Sequence, residues 1–549
     1  MTMQPGTNTI ESFKALKGGD GLRIREDLPR LIRDGWKSMS RADKDLLKWV
    51  GVFFRNPTPG RFMMRIRMPN GFAASEQLRA IAELSRRLGN NILDITTRQQ
   101  VELRGFTIES VPEIWEKLRG VDLHSLQTGM DNVRNINGCP LAGLTPGELF
   151  DASPVLLELD RILVGKDGNP EFTNLPRKFN VTITGCLENC THSESQDIAL
   201  IPARKGGRAG FNVLAGGKMG SGGFTIATPL GVFVEPGEAA QVCAELIRIY
   251  RDHGPRDARS KCRLAFLLEQ WGATRLRAEL EYRLKRGLES AGEDARRAGH
   301  TDHLGVTRQK QAGLVAVGLC VPTGRLDADQ MSELARLAEA YGNGQIRFTT
   351  GQNAIIPNVP AHRTAALFRE PLLEQFSPEP SPFFRGMVAC TGTDFCNLAQ
   401  IETKQKAVEL SRALADRLGD DIAPLTIHWS GCPAACGNHQ AADIGLRGMK
   451  INAGGKTIDA VAIYTGGRTG PEAAAGEQIL DAAPLDANLA DTIAAIIRQA
   501  GLARPLKHKA ASRNAALAPA APQFVPLQSI GNQQGAEARA VSSGVSRQV

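Results

Sequence analysis

Residues 61–106 read RFMMRIRMPNGFAASEQLRAIAELSRRLGNNILDITTRQQVELRGF, and residues 313–359 read GLVAVGLCVPTGRLDADQMSELARLAEAYGNGQIRFTTGQNAIIPNV. Each stretch has the periodicity of a strand, a turn, a helix and two further strands. The helical parts run in phase: Leu78, Ile81, Ala82 and Ser85 take the places of Met331, Leu334, Ala335 and Ala338. That i, i+3, i+4, i+7 spacing predicts one buried helical face in each copy. Gly89 and Gly342 fall where each helix should stop. Thr96-Thr97-Arg98-Gln99 then answers Thr349-Thr350-Gly351-Gln352.

A second pair of segments follows in the same order. FNVTITGCLENCTHSESQDIALIP, residues 179–202, matches LTIHWSGCPAACGNHQAADIGLRG, residues 425–448. Gly185-Cys186 answers Gly431-Cys432, Cys190 answers Cys436, and Asp197-Ile198 answers Asp443-Ile444. The order A-B-A′-B′ implies duplication of a two-part unit, with a shared cofactor near a pseudo-twofold junction. Residues 251–308 carry helical periodicity and read as a helical connector. Residues 505–549, rich in Ala, Gln, Ser and Pro, lack periodicity and read as a disordered tail.

The cysteines carry the chemistry. Cys390-Thr-Gly-Thr-Asp-Phe-Cys396 and Cys432-Pro-Ala-Ala-Cys436 make a C-x5-C pair and a C-x3-C pair on turns bounded by Gly, Thr and Ser. Four thiolates suit a [4Fe–4S] cluster, and by spacing alone a zinc site is the alternative. Cys186-x3-Cys190 mimics the second pair, with His192 nearby, but only Cys139 stands where another pair would be needed. It reads as a relic of duplication, with a second cluster as the other reading. Cys243, Cys262 and Cys320 sit in apolar settings and read as core. His428 reads as a packed histidine, and His439 as a neighbour of the cofactor.

A chain of 549 residues holds several domains. Ten cysteines are too few for a disulfide scaffold of this length, and the start lacks the apolar segment of a secretory signal, so the expected compartment is the cytoplasm. No apolar run is long enough for a membrane span. The net charge of +8 is spread along the chain without a basic run interleaved with aromatics, which argues against nucleic acid and leaves room for an acidic protein partner. Arg65 and Arg67 alternate with Met64, Ile66 and Met68, so one side of that strand is charged and needs an anion, for which a cofactor or substrate would serve.

Over about residues 45–505, the motifs GRFMMRIRMPNG, TTRQ, GMDNVRN with PLAG, LPRKFN, ACTGTDFCNLAQIETK and SGCPAACG with ADIG resemble those of the siroheme-dependent nitrite and sulfite reductase family. The resemblance implies an α+β, trilobal protein: an extension (1–55), a ferredoxin-like half-domain (56–125), a siroheme-binding α/β domain (126–250), the connector (251–308), a second half-domain (309–380) and a second cluster- and siroheme-binding domain (381–504). It implies siroheme and a [4Fe–4S] cluster as cofactors. Cys390, Cys396, Cys432 and Cys436 would hold the cluster, and the Cys436 sulfur would be shared with the siroheme iron. Arg65, Arg134 and Lys178 would face a small anionic substrate, while Arg98 and Arg177 would pair with siroheme carboxylates.

Asn180 bears on the substrate. Sulfite reductases of the family carry LPRKFK, whereas this chain has LPRKFN, one cation fewer. The resemblance therefore implies six-electron reduction of nitrite to ammonia, with sulfite reduction as the alternative. A precorrin-modifying relative and an electron-transfer protein carrying the cluster alone are the remaining readings. No dinucleotide fingerprint or flavin segment is present, so electrons would come from a separate acidic ferredoxin docking on a basic face, or from flavodoxin. Family habit implies a monomer. Two positions depart from the pattern. Glu102 places a carboxylate beside the expected siroheme carboxylates unless Arg104 pairs it, and Ala434-Ala435 replaces a polar pair between the last two ligands.

Overall fold

The computed structural model describes residues 8–220 and 223–505. The expected tail, apart from Pro505, lies outside them. Two five-stranded antiparallel sheets correspond to the first repeat. One runs Val52–Phe54, Phe62–Ile66, Val101–Phe106, Leu93–Ile95 and then Arg325–Leu326. The other runs Gly305–Arg308, Leu314–Leu319, Ala354–Pro360, Gln345–Phe348 and then Phe72–Ala74. Each half thus lends a short edge strand to the other: Arg325 pairs with Asp94, and Arg347 pairs with Phe72. The sequence pattern missed this exchange, because strands of two and three residues carry no period of their own.

The helices Ser75–Arg87 and Ala328–Tyr341 pack against each other, with the eight predicted face residues buried. Both end near the predicted glycine, but not through a left-handed cap. A Cβ on Gly89 would meet the Arg104 carbonyl oxygen at 2.6 Å, and one on Gly342 the Pro357 oxygen at 2.5 Å. The glycines are there because a strand backbone passes too close for a side chain.

The pseudo-twofold is closed by two glutamines in the left-handed region, Gln99 (φ 57°) and Gln352 (φ 65°). Gln99 Nε2 donates to the Phe348 carbonyl at 3.0 Å, and Gln352 Nε2 donates to the Ile95 carbonyl at 3.0 Å. Their Oε1 atoms accept from Gly138 N and Ala389 N, at 3.2 and 2.9 Å. These residues immediately precede Cys139 and Cys390, so the same pair that ties the halves together aligns the first cysteine of each.

The second repeat forms two mixed sheets. Val181–Ile183 runs parallel to Ile198–Lys205, which continues antiparallel into Arg208–Ala215 and Thr228–Val234. Likewise Gly386–Ala389, Thr426–Ser430 and Ile444–Ala453 are parallel, and Lys456–Thr465 and Glu477–Pro484 follow antiparallel. Asp197 Oδ2 accepts from Asn180 N at 2.8 Å, and Asp443 Oδ2 from Thr426 N at 2.9 Å, so the matching aspartates pin matching strands. Residues 251–308 are helical only in part. Leu264–Leu284 is a helix kinked at Gly272, but Glu293–Asp294 joins the first mixed sheet and Gly305–Arg308 the second half-sheet. Residues 295–304, between these strands, run beside the first cysteine loop as described below.

Candidate functional site

Parallel pairing of Gly386–Ala389 with Thr426–Ser430 brings Cys390 and Cys432 to the same ends of neighbouring strands. Cys390 Sγ accepts from Gly431 N at 3.1 Å, and Cys396 Sγ from Leu398 N at 3.4 Å, the contacts that steady cluster thiolates. Burial pushes the Cys390 thiol up to about 12 and the Cys432 thiol up to about 11, so both ionise readily only against a bound cation. Cys396 is half-buried and Cys436 is exposed, which leaves the last sulfur reachable by a second group. A Cβ on Gly437 would meet the Trp429 carbonyl oxygen at 1.9 Å, so the turn after Cys436 admits only glycine.

The loop between Cys390 and Cys396 is braced from the first half. Arg104 bonds Asp94 at 2.6 Å, Glu102, and Thr391 Oγ1 at 3.2 Å, and its guanidinium lies 4.7 Å from the Phe395 ring centre. Arg325, of the exchanged strand, reaches Asp94 at 3.0 Å and stands over the other side of the same network. Three cations hold the buried Asp94 carboxyl far below its usual range despite burial. Ala434-Ala435 also has a packing reason: Ala435 packs with Met219 and Ala441, and a Cβ on Gly220 would meet the Ala434 oxygen at 2.3 Å.

Beside Cys436 a narrow cleft is lined by Thr97, Arg98, Lys178, Asn180, Ala435 and Asn438, among others. Thr97 Oγ1 donates to the Cys436 carbonyl at 3.3 Å, and Arg98 Nε donates to Asn180 Oδ1 at 3.2 Å. Arg134 spends its donors on the carbonyls of Thr128 and Met130. Among the described residues no carboxylate forms a salt bridge with Arg98, Arg134 or Lys178. Burial pushes Arg98 down to about 10, with Arg65 and Arg263 adding to it. Burial, then Arg65, Arg98 and Arg177, holds Arg134 well below its usual value, and burial with Arg263 and Arg98 does the same to Lys178. Arg177 is likewise pushed down to about 10, first by burial and next by Arg259. Arg98, Arg134 and Lys178 together give the cleft a charge that suits an anionic group.

Two arginines differ from expectation. Arg67 is buried and pairs with Asp160 at 2.7 Å, so a protein carboxylate supplies its anion. Arg65 pairs with Glu102 at 2.6 Å, and Glu102 also binds Arg104. The carboxylate is therefore paired from both sides and held below its usual range against burial. Arg65 brings less free charge to the cleft than its strand position implied. His428 is packed as expected, with Nδ1 3.1 Å from the Asn438 carbonyl, whereas His439 lies in the second-half core against Ser430 and Tyr464. Sequence reasoning missed Arg263, which forms a fully buried pair with Asp197 at 2.6 Å, beneath Asn180. It also missed Arg55, pushed down to about 10 by burial and drawn back up by Glu102. Only the repeated Asp-Ile signal pointed toward the first of these.

A cavity of about 530 Å³ lies at the pseudo-symmetric place, lined by Thr350, Gly351, Pro424, Thr426, Cys190 and neighbours. These are the repeat counterparts of Thr97, Arg98, Lys178, Asn180 and Cys436. It is roomier, but Asp302, Asp443 and Glu472 line it and Arg385 is tied to Asp302. With Arg468 as its other arginine, it offers a macrocycle bearing eight carboxylates less positive charge than the cleft beside Cys436, where Arg98 and Lys178 stand without an acidic residue in the lining.

Four cysteines and the cations Arg98, Arg134 and Lys178, none salt-bridged to a carboxylate among the described residues, suit an oxidoreductase that holds an iron–sulfur cluster and an anionic cofactor. The description "Nitrite and sulphite reductase 4Fe-4S domain" matches residues 129–288 and 381–500, and "Nitrite/Sulfite reductase ferredoxin-like half domain" matches 55–121 and 307–373. The chain is 43% identical to the ferredoxin–nitrite reductase of Synechococcus elongatus, over 86% of this chain and 93% of that one. It is 41% identical to the assimilatory ferredoxin-dependent nitrite reductase of Haloferax mediterranei, over 87% and 86%. The solved NirA protein of Mycobacterium tuberculosis superposes with a TM-score of 0.84 at 29% identity, covering 92% of this chain and 97% of that one. This chain belongs to the nitrite and sulphite reductase family. The duplicated ferredoxin-like fold, and siroheme with a [4Fe–4S] cluster as cofactors, stand with that membership.

Proposed function

We propose that the protein reduces nitrite to ammonia, released as ammonium with two waters, consuming eight protons and six electrons that a ferredoxin delivers singly. The observation that carries this reading is the cation group Arg98, Arg134 and Lys178, without a carboxylate salt bridge among the described residues, beside the exposed Cys436. Cys390, Cys396, Cys432 and Cys436 would hold the cluster, and Arg98 and Arg177 the siroheme carboxylates. When bound, siroheme with the cluster would supply the redox chemistry, passing electrons singly to the substrate. Arg134 neutralises the bound anion and, being far too weak an acid, stays charged throughout. Lys178, with its lowered pKa, both attracts the anion and passes a proton to its oxygen. Arg65 orients this group while charge-paired to Glu102. Asn180 offers a neutral amide, which suits a monoanion.

A net charge of +8 favours an acidic donor docking on a basic face of a single chain. Ten cysteines without a disulfide fit the reducing cytoplasm, and among the described residues no helix is long and apolar enough to cross a membrane. The test is product formation by siroheme-containing protein with reduced ferredoxin. Ammonia from nitrite should form much faster than sulfide from sulfite. Asn180→Lys should shift that ratio toward sulfite by roughly tenfold, about the worth of one charge-assisted hydrogen bond. Faster sulfide formation by the unaltered protein would overturn the substrate assignment.

A further inference from the structure

The cysteines that read as a relic form a compact donor set. Cys139, Cys186, Cys190 and His303 are all buried, and their ligand atoms lie within 4.8 Å of one another. The repeat explains three of them: Cys139 is the counterpart of Cys390, Cys186 of Cys432 and Cys190 of Cys436. The fourth cluster cysteine, Cys396, has Thr145 as its counterpart by spacing. His303 arrives instead from the connector, with its Nε2 3.4 Å from Cys139 Sγ.

The histidine is placed by a built clasp. Arg297 N donates to the Leu187 carbonyl at 2.8 Å and Thr301 N to the Glu188 carbonyl at 3.0 Å. Asn189 Nδ2 donates back to the carbonyls of Arg297 and Gly299, at 2.7 and 2.8 Å. The connector is thereby laced along the Cys186–Cys190 loop. Beyond it, a Cβ on Gly318 would meet the His303 carbonyl oxygen at 2.0 Å, so only glycine in the strand beneath lets the connector backbone pack this close. Glu188 N donates to Cys186 Sγ at 3.4 Å, an amide contact of the kind that supports a metal-bound thiolate.

We propose that Cys139, Cys186, Cys190 and His303 form a closed, four-coordinate site for a zinc ion, separate from the cluster and siroheme. Tetrahedral zinc with sulfur at about 2.3 Å needs sulfurs about 3.8 Å apart, which this group accommodates. A cubane puts four irons between its cysteines and needs a wider cage. Three soft thiolates and an imidazole match a structural zinc donor set, and four protein ligands fill the tetrahedron; Leu141, Leu144, Ala316 and Ile355 pack around the cysteines, while Cys190 and His303 also border the cavity of about 530 Å³. Binding releases the thiol protons to solvent and leaves one net negative charge. The buried Arg347, whose Nη1 donates to the carbonyl of Pro140 at 3.4 Å, stands beside it. The ion fastens the connector to the first cysteine loop.

Holoprotein purified without chelator from zinc-replete medium should contain one zinc per chain by elemental analysis. Absorption at the zinc edge should show three sulfurs at about 2.3 Å and one nitrogen at about 2.0 Å. His303→Ala and Cys139→Ser should lose the zinc while keeping the visible bands of siroheme and cluster. A mercurial titrated into the unaltered protein should release the zinc, a readout independent of whether either variant folds. Holoprotein that binds no zinc even when reduced and supplied with it would overturn the proposal. So would zinc surrounded only by nitrogen and oxygen, or a disulfide within the group.

Discussion

The two cysteine loops, 186–190 and 432–436, are built on the same strand–turn–strand frame and have come to differ in three ways. The second has a fourth thiolate of its own in Cys396, an exposed last sulfur in Cys436, and cations facing it from the first half. The first has no fourth cysteine, has its three cysteines buried, and has His303 beside them. Where Lys178 faces one cleft, Pro424 faces the other; where Arg98 stands, so does Gly351. Duplication supplied the frame twice, and the chemistry follows from which donors and charges each copy kept.

Replacing the matching third cysteines should separate the copies most sharply. Cys436→Ser should abolish nitrite reduction and displace the siroheme bands. Cys190→Ser should leave those bands in place and remove only zinc. Absorption spectra with elemental analysis decide this, and loss of siroheme from both variants would break the distinction. The matching aspartates come next. Asp197→Asn exposes the buried Arg263 to an unpaired state and should cost about 3–5 kcal/mol. Asp443→Asn disturbs only the hydrogen bonds to Thr426 and should cost about 1–2 kcal/mol, both read from denaturant midpoints.

Lys178 gives a smaller, pH-dependent difference. Its folded pKa lies below the ordinary 10.5, so between those two values the unfolded chain binds more protons than the folded one. Stability of siroheme-free protein should therefore rise with pH through that window, by about 1.4 kcal/mol for each unit between the two pKa values. Lys178→Met should flatten the rise, and titration of stability against pH checks it. Smallest is the pair at the left-handed position of each loop, Asn189 (φ 51°) and Ala435 (φ 56°). Asparagine tolerates that region and alanine does not. Ala435→Gly should gain up to about 1 kcal/mol, while Asn189→Ala should lose at least that, since it also cuts two hydrogen bonds to the connector.

Much of this was legible beforehand because duplication prints itself twice. The helical faces of both half-domains, the phase of the cysteine pairs and the matching aspartates were readable from spacing. The convergence of Arg98, Lys178 and Asn180 beside Cys436 was read from motif resemblance, and the cleft brings them together. The anions that pair Arg65 and Arg67 were not legible, since Glu102 and Asp160 lie on other elements, with no local signal linking them. Nor was His303: a histidine in a connector has no period, and its donor role depends on a clasp to residues more than a hundred positions earlier.

By itself, the sequence determined the repeated architecture and the four candidate cluster cysteines, because strand and helix periods and thiol spacing are local properties; the cofactor class came from the resemblance of its motifs to a family. Only the tertiary structure decided how charge is shared and which donors meet. Salt bridges, desolvation and metal-ligand distances act through space, and in a chain that exchanges strands between its halves the decisive neighbours are remote in sequence.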